Sequence, residues 1–356
     1  MTTQHTAPES RADGRNAPLT GRELRLAGRP VGEPGLEHFD LVDVDVPALA
    51  DGQILVRNTW MSVDPYMRGR MNDVPSYLPP FRVGGPLEGS AVGEVVESRS
   101  PSIPIGATVT HFFGWRDYAV VDAGAATVVD LALAPPQAYL SALGTTGLTA
   151  YAALTEVAPV RPCDTVFVSG AAGAVGSVAG QVARHLGAGT VIGSAGGPEK
   201  ARKLTADFGF DVALDYRSGP IAEQLHRAAP DGIDVYLDNV GGDHLVAAID
   251  AARIGARFAL VGAISGYNAT EPVPGPPNLF RTYWREVTLR GMLVTSYLHT
   301  FPEWIGLAAG WLRDGTLRTE ETVVDGLDQA PAAFLGVLRG ANTGKMLVRL
   351  ADNPPS

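Results

Sequence analysis

The sequence predicts an α/β fold in which a six-stranded, doubly wound parallel sheet is inserted into a β-rich domain. Three observations predict it: short β-rich runs broken by turns near the amino terminus, strands that alternate with helical patterns in the middle, and strands again at the end. A chain of 356 residues with 45% hydrophobic residues is long enough for two domains with separate cores.

The β-rich texture extends from Glu23 to about Asp130. Proline and glycine turns separate its runs, as expected of an irregular antiparallel domain. The predicted strands are Gln53–Asn58, Gly93–Glu97, Thr108–Phe113 and Tyr118–Val121. We assign residues 19–140 and 315–356 to this domain, and we expect residues 1–18, which are polar and have no apolar signal core, to be a disordered tail.

Residues 141–314 are predicted to form the inserted domain, because strands there alternate with helices, as in βαβ units. Its six predicted strands are Asp164–Ser169, Thr190–Gly193, Val212–Tyr216, Ile233–Asn239, Arg257–Val261 and Val287–Leu293. A helix near Pro302–Arg313 follows them. The strands Thr322–Val324 and Lys345–Leu350, with the helical segment Gln329–Arg339 between them, are then expected to return to the first domain.

Composition restricts the partners and the chemistry. The net charge of −10, from 28 basic and 38 acidic residues, argues against a nucleic-acid partner. The single cysteine, Cys163, excludes a disulfide within the chain and a Cys-rich zinc site, and the seven histidines are dispersed, so we expect no catalytic metal. No stretch is suited to span a membrane, and we expect a cytoplasmic protein.

A glycine-rich turn, Gly170–Gly176, follows the first strand of the inserted domain and opens a predicted helix, Ser177–Leu186. Small residues let the backbone approach a pyrophosphate, which free amides and the helix dipole stabilise. An ordinary strand-to-helix turn is the alternative.

The residues after the second strand favour NADPH over NADH. An NAD-specific site usually has a carboxylate at this strand end, whereas here the sequence is Ala195–Gly197, followed by Lys200, Arg202 and Lys203. These cations are suited to a 2′-phosphate. Lysines that only face solvent are the alternative.

Several runs together resemble one family. They are Val63–Met71, Gly144–Tyr151, Ala171–Gly176, Asp238–Gly242, Gly262–Asn268 and Gly344–Met346. From about Pro18 to Leu350 the chain resembles the zinc-independent medium-chain dehydrogenases/reductases, in the branch of prostaglandin reductases, plant double-bond reductases and curcumin-reductase-like enzymes. The Asp-Pro-Tyr-Met-Arg and Ile-Ser-x-Tyr-Asn pieces are specific to the branch, although Gly266 stands where many members have Gln.

The resemblance implies a GroES-like catalytic domain with an inserted Rossmann domain, a homodimer, and NADPH-dependent reduction of the carbon–carbon double bond of α,β-unsaturated ketones or aldehydes. It also implies the cofactor contacts. Lys200 and Tyr216, beside Gly196, are expected near the 2′-phosphate, and Ala172, Gly173, Ala174, Val175 and Gly176 near the pyrophosphate; Asn239, Tyr267 and Asn342, with Thr146, Gly262 and Ile264, are expected to complete the cofactor site.

Without a metal, a phenol is suited to stabilise the charge that develops on the substrate carbonyl oxygen. Tyr267, at the end of a parallel strand, is the first candidate and Tyr66 the second. Each has ordinary packing as the alternative.

Four further residues are candidates for the substrate site. Arg68 and Arg70 are expected to bind an acidic substrate tail, with simple solvation as the alternative. Trp115 and Phe280 are expected to line an apolar pocket, with core packing as the alternative. A quinone or carbonyl reductase using NADPH, and a non-catalytic NADPH-binding sensor, are the alternative functions.

Overall fold

A computed structural model describes residues 19–350. The predicted tail, residues 1–18, and the last six residues of the predicted catalytic domain lie outside this range. The fold has a β-rich domain formed by both ends of the chain and a parallel-sheet domain formed by the middle.

The β-rich domain begins with a two-stranded antiparallel sheet of β1 and β2, and its larger sheet then starts at β3. The amino-terminal elements are β1 (Thr20–Leu26), β2 (Phe39–Asp45), β3 (Gln53–Ser62), α1 (Met67–Arg70), β4 (Ala91–Ser98), β5 (Thr108–His111), β6 (Tyr118–Asp122) and β7 (Thr127–Val128). Short 3₁₀ turns lie at Leu36–His38, Ala123–Ala125 and Pro136–Leu140.

The inserted domain is a six-stranded parallel sheet with helices on both faces. Its elements are α2 (Thr145–Ala152), a π-helical turn (Ala153–Val157), β8 (Thr165–Val168), α3 (Ala174–His185), β9 (Thr190–Ala195), α4 (Pro198–Ala206), β10 (Val212–Asp215), α5 (Ile221–Ala228), β11 (Ile233–Asp238), α6 (Gly242–Ala251), β12 (Ala252–Leu260), a 3₁₀ turn (Ile264–Gly266), α7 (Arg281–Trp284), β13 (Thr288–Gly291), a 3₁₀ turn (Val294–Thr300) and α8 (Phe301–Arg313). The strand order β10-β9-β8-β11-β12-β13 is that of a doubly wound dinucleotide-binding fold.

The carboxyl-terminal elements complete the first sheet. They are β14 (Glu321–Asp325), a 3₁₀ turn (Leu327–Gln329), α9 (Ala330–Leu338) and β15 (Lys345–Arg349). The larger sheet has the order β14-β15-β3-β4-β5-β7, with β6 paired to the other part of β3. The predicted fold class, with its inserted parallel-sheet domain, is therefore confirmed.

Alternation along the strands builds two cores around the parallel sheet. In β8, Val166 and Val168 face one layer of helices, whereas Phe167 faces the other, where it stacks on Tyr236 of β11. A separate core joins the two ends of the chain in the β-rich domain, where Phe334 of α9 packs against Trp115. Part of the first core crosses the domain boundary, because Trp60, Val92 and Leu347 of the β-rich sheet belong to it.

Several elements differ from the sequence prediction. Helix α3 begins at Ala174 rather than Ser177, so the last residues of the glycine turn are already helical. Strands β1 and β2 were not among the predicted strands, and β12 begins at Ala252, five residues before the predicted start at Arg257.

Candidate active site

The two domains meet where β8 ends. The Gly344 amide, just before β15, donates a hydrogen bond to the Ala172 carbonyl oxygen at 2.7 Å. Gly344 has a positive φ of 64°, and a Cβ there would lie 1.7 Å from the Glu320 carbonyl oxygen. Only glycine therefore allows the close approach to Glu320, and the bond from its amide to Ala172 joins the carboxyl-terminal strands to the glycine turn.

The glycine turn itself has the geometry of a pyrophosphate site. Gly170 has a φ of 58°, and a Cβ on Gly176 would lie 2.4 Å from the Gly170 carbonyl oxygen. Helix α3 packs tightly on β8 for this reason, and its first-turn amides, those of Ala174, Val175 and Gly176, have no acceptor within the helix. Such a helix start, behind a strand end, is suited to bind a phosphate group.

A second cradle lies at the end of β9. A Cβ on Gly196 would lie 2.5 Å from the Tyr216 hydroxyl oxygen and 3.0 Å from Arg217 Nε, so glycine leaves room beside both groups. Asp215 Oδ1 accepts hydrogen bonds from the Gly197 amide at 2.7 Å and the Arg217 amide at 3.0 Å, which hold the two loops together.

Lys200 projects into this cradle from the first turn of α4. Its Nζ donates to the carbonyl oxygens of Gly340, at 2.6 Å, and Asn342, at 2.5 Å, and so crosses to the β-rich domain. Burial, and then the positive charge of Arg217, lower the pKa of Lys200. An ammonium has three N–H donors, so one remains for an anion, and two cations that face each other are suited to share a phosphate.

Lys203 has a different environment. Its Nζ forms an ion pair with the Glu320 carboxylate, which is also in the seam between the domains. The sequence predicts Lys203, together with Lys200, as a cation suited to the phosphate. That expectation is corrected, because its charge is already paired with Glu320.

A buried carboxylate organises the turn after β11. Asp238 is 2% exposed, and its Oδ1 accepts hydrogen bonds from the Ser169 hydroxyl, the Tyr236 hydroxyl, and the amides of Val240 and Gly241. The neighbouring Asn239 donates from Nδ2 to the Ser169 carbonyl oxygen at 2.8 Å. This turn is therefore fixed at the strand end where a nicotinamide would lie.

The cofactor roles of the remaining expected residues stay predictions, and the structure gives their local contacts. Asn342 donates from Nδ2 to the Gly344 carbonyl oxygen at 2.7 Å, and the Ile264 amide donates to the Asn239 carbonyl oxygen at 3.3 Å. A Cβ on Gly262 would lie 3.2 Å from the Tyr267 hydroxyl oxygen. Thr146 donates to the Ser141 carbonyl oxygen at 2.8 Å from the first turn of α2.

Tyr267 lies on the loop after β12, as the sequence predicts. Its hydroxyl oxygen accepts a hydrogen bond from the Ala263 amide at 3.3 Å, and its ring is half-buried. A phenol whose oxygen accepts one backbone bond keeps its own proton to donate to a substrate.

Tyr66 lies on the opposite domain, at the start of α1. Its hydroxyl is buried without a hydrogen-bond partner among the described residues. Burial, and then the Asp64 carboxylate, hold the pKa of Tyr66 well above that of an ordinary phenol, so the group stays protonated at neutral pH. A buried hydroxyl without a partner has a hydrogen bond still to give.

Tyr77 connects the two phenols electrostatically. Burial, and then the Tyr267 phenol, raise the pKa of Tyr77, and Tyr77 in turn contributes to the raised pKa of Tyr66. Tyr77 therefore lies near both phenols, and the joint role of Tyr66 and Tyr267 stays a prediction.

A buried ion pair lies behind Tyr66. Lys345, which is 3% exposed, donates from Nζ to Asp64 Oδ1 at 2.6 Å and to the Val63 carbonyl oxygen at 3.1 Å. Asp64 also accepts a hydrogen bond from the Ser62 hydroxyl. This pair attaches the loop that carries Tyr66 to β15.

The arginines of the same loop do not have the predicted role. Arg68 donates to Asn268, Asn72 and the Gly32 carbonyl oxygen, and Arg70 donates to the Pro79 carbonyl oxygen and to Glu88. Both are buried, at 2% and 5% exposure. The expectation that they bind an acidic substrate tail is corrected, because both guanidinium groups are buried and bonded within the protein, all three nitrogens in Arg68 and two in Arg70. The Nη1 of Arg70 is buried without a partner among the described residues.

Trp115 is a core residue. It is 1% exposed and packs on Phe39 and Phe334, each with ring centroids 6.2 Å away. The expectation that Trp115 lines an apolar pocket is therefore wrong, and the alternative of core packing is correct. Phe280 is instead 47% exposed, just before α7, with its ring against Trp284. Its substrate role stays a prediction.

Metal-binding clusters and membrane-spanning helices are absent from residues 19–350. Among residues 19–350, no three side chains of His, Cys, Asp or Glu form a group that could hold a metal ion. Over the same range, no helix has the length and apolar character needed to cross a membrane.

Comparisons with known proteins decide the family. A model described as the N-terminal domain of oxidoreductase matches residues 22–129, and one described as zinc-binding dehydrogenase matches residues 174–310. The chain is 40% identical to the NADPH-dependent curcumin reductase of Escherichia coli, over 93% of this chain and 97% of that protein. It is 37% identical to the NADP(+)-dependent 2-alkenal reductase of Nicotiana tabacum, over 94% and 98%. The chain belongs to the zinc-independent medium-chain dehydrogenases/reductases.

A solved structure agrees with this family assignment. The crystal structure of CurA from Vibrio vulnificus in complex with NADPH has a TM-score of 0.88 and 37% identity, and covers 93% of this chain and 100% of that one. The resemblance noted from the sequence is thus confirmed for the family and for the fold.

Sequence reasoning missed four residues of this medium-chain reductase site. They are Asp64, Tyr77, Arg217 and Lys345. Asp64 and Lys345 stand inside the motifs quoted above, but only the fold brings them together across 281 positions of the chain. Arg217 directly follows Tyr216, and a cation beside a predicted 2′-phosphate residue was a usable signal.

Proposed function

We propose that this medium-chain reductase uses NADPH to reduce the carbon–carbon double bond of α,β-unsaturated ketones or aldehydes. The proposal rests on two phenols from the two domains: Tyr66, whose buried hydroxyl has no partner among the described residues, and Tyr267, whose hydroxyl oxygen accepts a bond from the Ala263 amide. The relatives named curcumin reductase and 2-alkenal reductase support the same class of reaction.

Lys200, Arg217 and Tyr216 would hold the 2′-phosphate, and the start of α3 would hold the pyrophosphate. When bound, NADPH supplies a hydride. The observation that supports the fit is the absence of a side chain at Gly196 beside two groups able to donate hydrogen bonds to a phosphate, the Tyr216 hydroxyl and the Arg217 guanidinium.

The residues of the cleft would then handle the charge on the substrate. As hydride adds to the β-carbon, the π electrons shift towards the carbonyl group and negative charge accumulates on its oxygen. Tyr267 or Tyr66 donates a hydrogen bond to that oxygen and stabilises the enolate. Proton delivery to the α-carbon completes the saturated ketone or aldehyde.

A panel of simple enones and enals tests the proposal. Stopped-flow absorbance would follow NADPH oxidation, and mass spectrometry would identify the product. A saturated carbonyl compound supports the proposal, whereas an allylic alcohol would indicate a carbonyl reductase. A folded protein that binds NADPH but oxidises none with any member of the panel would refute the proposal.

The variant Tyr267→Phe separates an enzyme from an NADPH-binding sensor. An enzyme that uses the phenol should lose turnover while its NADPH dissociation constant stays nearly the same, because the ring is kept and only the hydroxyl is removed. A sensor would retain binding and would have no turnover to lose.

We also propose a homodimer formed through β13. This strand is the edge of the parallel sheet, and exposed aromatic side chains lie beside it on α7, with Tyr283 at 77% and Trp284 at 64% exposure. Exposed apolar patches of this kind are typical of interfaces, and a two-fold axis at β13 would pair the two sheets.

Light scattering tests this assembly. Trp284→Glu should shift the mass from dimer to monomer, whereas Ile105→Glu, an equally exposed control at 64% in the β-rich domain, should not. A monomeric wild-type protein would refute the dimer. The cytoplasmic location expected from the sequence stays a prediction, which cell fractionation tests.

A further inference from the structure

The guanidinium group of Arg68 lies in the seam between the two domains. Its Nε donates to Asn268 Oδ1 at 3.0 Å, its Nη1 to Asn72 Oδ1 at 2.7 Å, and its Nη2 to the Gly32 carbonyl oxygen at 2.7 Å. Asn72 and Gly32 belong to the β-rich domain, whereas Asn268 follows β12 in the parallel-sheet domain. Arg68 therefore forms a bond from one domain to the other, across 200 positions of the chain.

Each end of this bond lies next to a catalytic phenol. Tyr66 is two residues before Arg68 and occupies the residue just before α1. Tyr267 directly precedes Asn268 and ends the 3₁₀ turn Ile264–Gly266. The hydrogen bond from Arg68 to Asn268 thus joins the two short segments that carry the phenols, and these segments are the ends of the two branch-specific motifs.

The amino-terminal loop strengthens the same contact. Gly32 has a φ of 75°, and a Cβ there would lie 3.4 Å from Thr270 Cγ2, so this loop also touches the segment after Tyr267. Arg68 is 2% exposed, and its partners are neutral oxygens that water cannot readily replace. A buried guanidinium with directed bonds of this kind has little freedom to move.

We propose that Arg68 is a positioning residue, which holds Tyr267 opposite Tyr66 by binding Asn268 across the cleft. The proposal rests on the reductase activity proposed above. It assigns to Arg68 a role in the geometry of the phenols instead of a role in binding substrate charge. Displacing Tyr267 by about an ångström would weaken its bond to the developing enolate while the glycine turn and the Lys200 region stay in place.

The variant Asn268→Ala tests this role, because Asn268 is half-buried on a surface loop and its loss should leave the protein folded. We expect kcat for an enone to fall by about tenfold to a hundredfold, with the NADPH dissociation constant unchanged. The matched control is Asn72→Ala, which removes a bond to the same guanidinium but within one domain, and should change kcat less than about twofold.

Two further variants distinguish positioning from general stability. Asn268→Asp keeps an oxygen acceptor for Arg68 and should restore kcat to near the wild-type value. In a Tyr267→Phe background, Asn268→Ala should have no further effect on kcat, since the phenol through which it acts is gone. Equal losses from Asn268→Ala in both backgrounds, or equal kcat values for Asn268→Ala and Asn72→Ala, would overturn the proposal.

Hydrogen exchange gives a readout that does not depend on activity. Asn268→Ala should raise amide exchange in residues 264–270, and Asn72→Ala should not. If the wild type reduces no enone, the proposed function fails. The difference in hydrogen exchange between the two variants then still tests whether the bond from Arg68 to Asn268 holds residues 264–270 in place. If exchange in residues 264–270 is unchanged in Asn268→Ala, the positioning role is refuted whatever the substrate.

Discussion

Replacing Lys200 or Arg217 by alanine should weaken the binding of NADPH more than the binding of NADH, because the two cofactors differ only in the 2′-phosphate. Lys200 already gives two of its N–H groups to Gly340 and Asn342, so one donor remains for the phosphate. One charge-assisted hydrogen bond contributes about 1.5 to 3 kcal/mol, which is roughly a tenfold to 150-fold change in the ratio of the two dissociation constants.

Arg217→Ala should have a smaller effect. Arg217 is exposed, and solvent screens its charge, so we expect about 1 kcal/mol, or roughly a fivefold change in the same ratio. Lys200→Ala also removes hydrogen bonds between the two domains and should somewhat weaken the binding of both cofactors. The ratio of NADPH to NADH affinity, measured by quenching of protein fluorescence, isolates the contribution of the phosphate.

Lys203→Ala is the matched control. Lys203 lies one helical turn after Lys200, but its charge is paired with Glu320, so its removal should leave the ratio unchanged. An equal loss of NADPH and NADH affinity in Lys200→Ala and Arg217→Ala would refute the 2′-phosphate site. A change of the ratio in Lys203→Ala would show that the phosphate lies elsewhere along α4.

Three other predictions concern buried groups. Tyr66→Phe should lower kcat by about a hundredfold while the free energy of unfolding in urea stays the same or rises, because the lost hydroxyl has no partner among the described residues; a fall in stability with full activity would contradict it. Burial lowers the pKa of His111 to about 3, so unfolded chains bind more protons below the ordinary pKa of about 6.5, and stability should fall as pH falls from 6.5 towards 3. Between pH 7 and pH 5 the free energy of unfolding should fall by about 2 kcal/mol because of His111, and His111→Gln should remove that part of the pH dependence. Lys345→Met should destabilise the fold by about 3 to 5 kcal/mol, because it leaves Asp64 charged and unpaired, and adding Asp64→Asn should recover much of the loss; equal stability of Lys345→Met and wild type would contradict it.

Local sequence patterns were sufficient to predict the strands and helices of the parallel-sheet domain. Each of its strands was predicted within a few residues at most ends, because buried parallel strands are short apolar runs and helices separate them. The start of α3 was misplaced because Ala174, Val175 and Gly176 are small residues that are compatible with both a turn and a helix. Strands β1 and β2 were not predicted from the sequence because the Asp and Glu residues in them are unusual in strands.

The site was predictable only where one segment carries it. Tyr267 and the glycine turn lie at strand ends, a position that the order of elements determines. The roles of Arg68 and Trp115 depend on segments far away in the chain, Asn268 in one case and Phe334 in the other. Residue type alone does not distinguish a guanidinium that binds substrate from one that joins two domains.

The proposed reduction of a carbon–carbon double bond is tested most directly by the position of the transferred hydrogen. The enzyme would be mixed with NADPH deuterated at the transferable position and a simple enone, and the product examined by NMR spectroscopy. We predict a saturated ketone with deuterium on the β-carbon, formed much more slowly by Tyr267→Phe. Deuterium on the carbonyl carbon of an allylic alcohol would contradict the account.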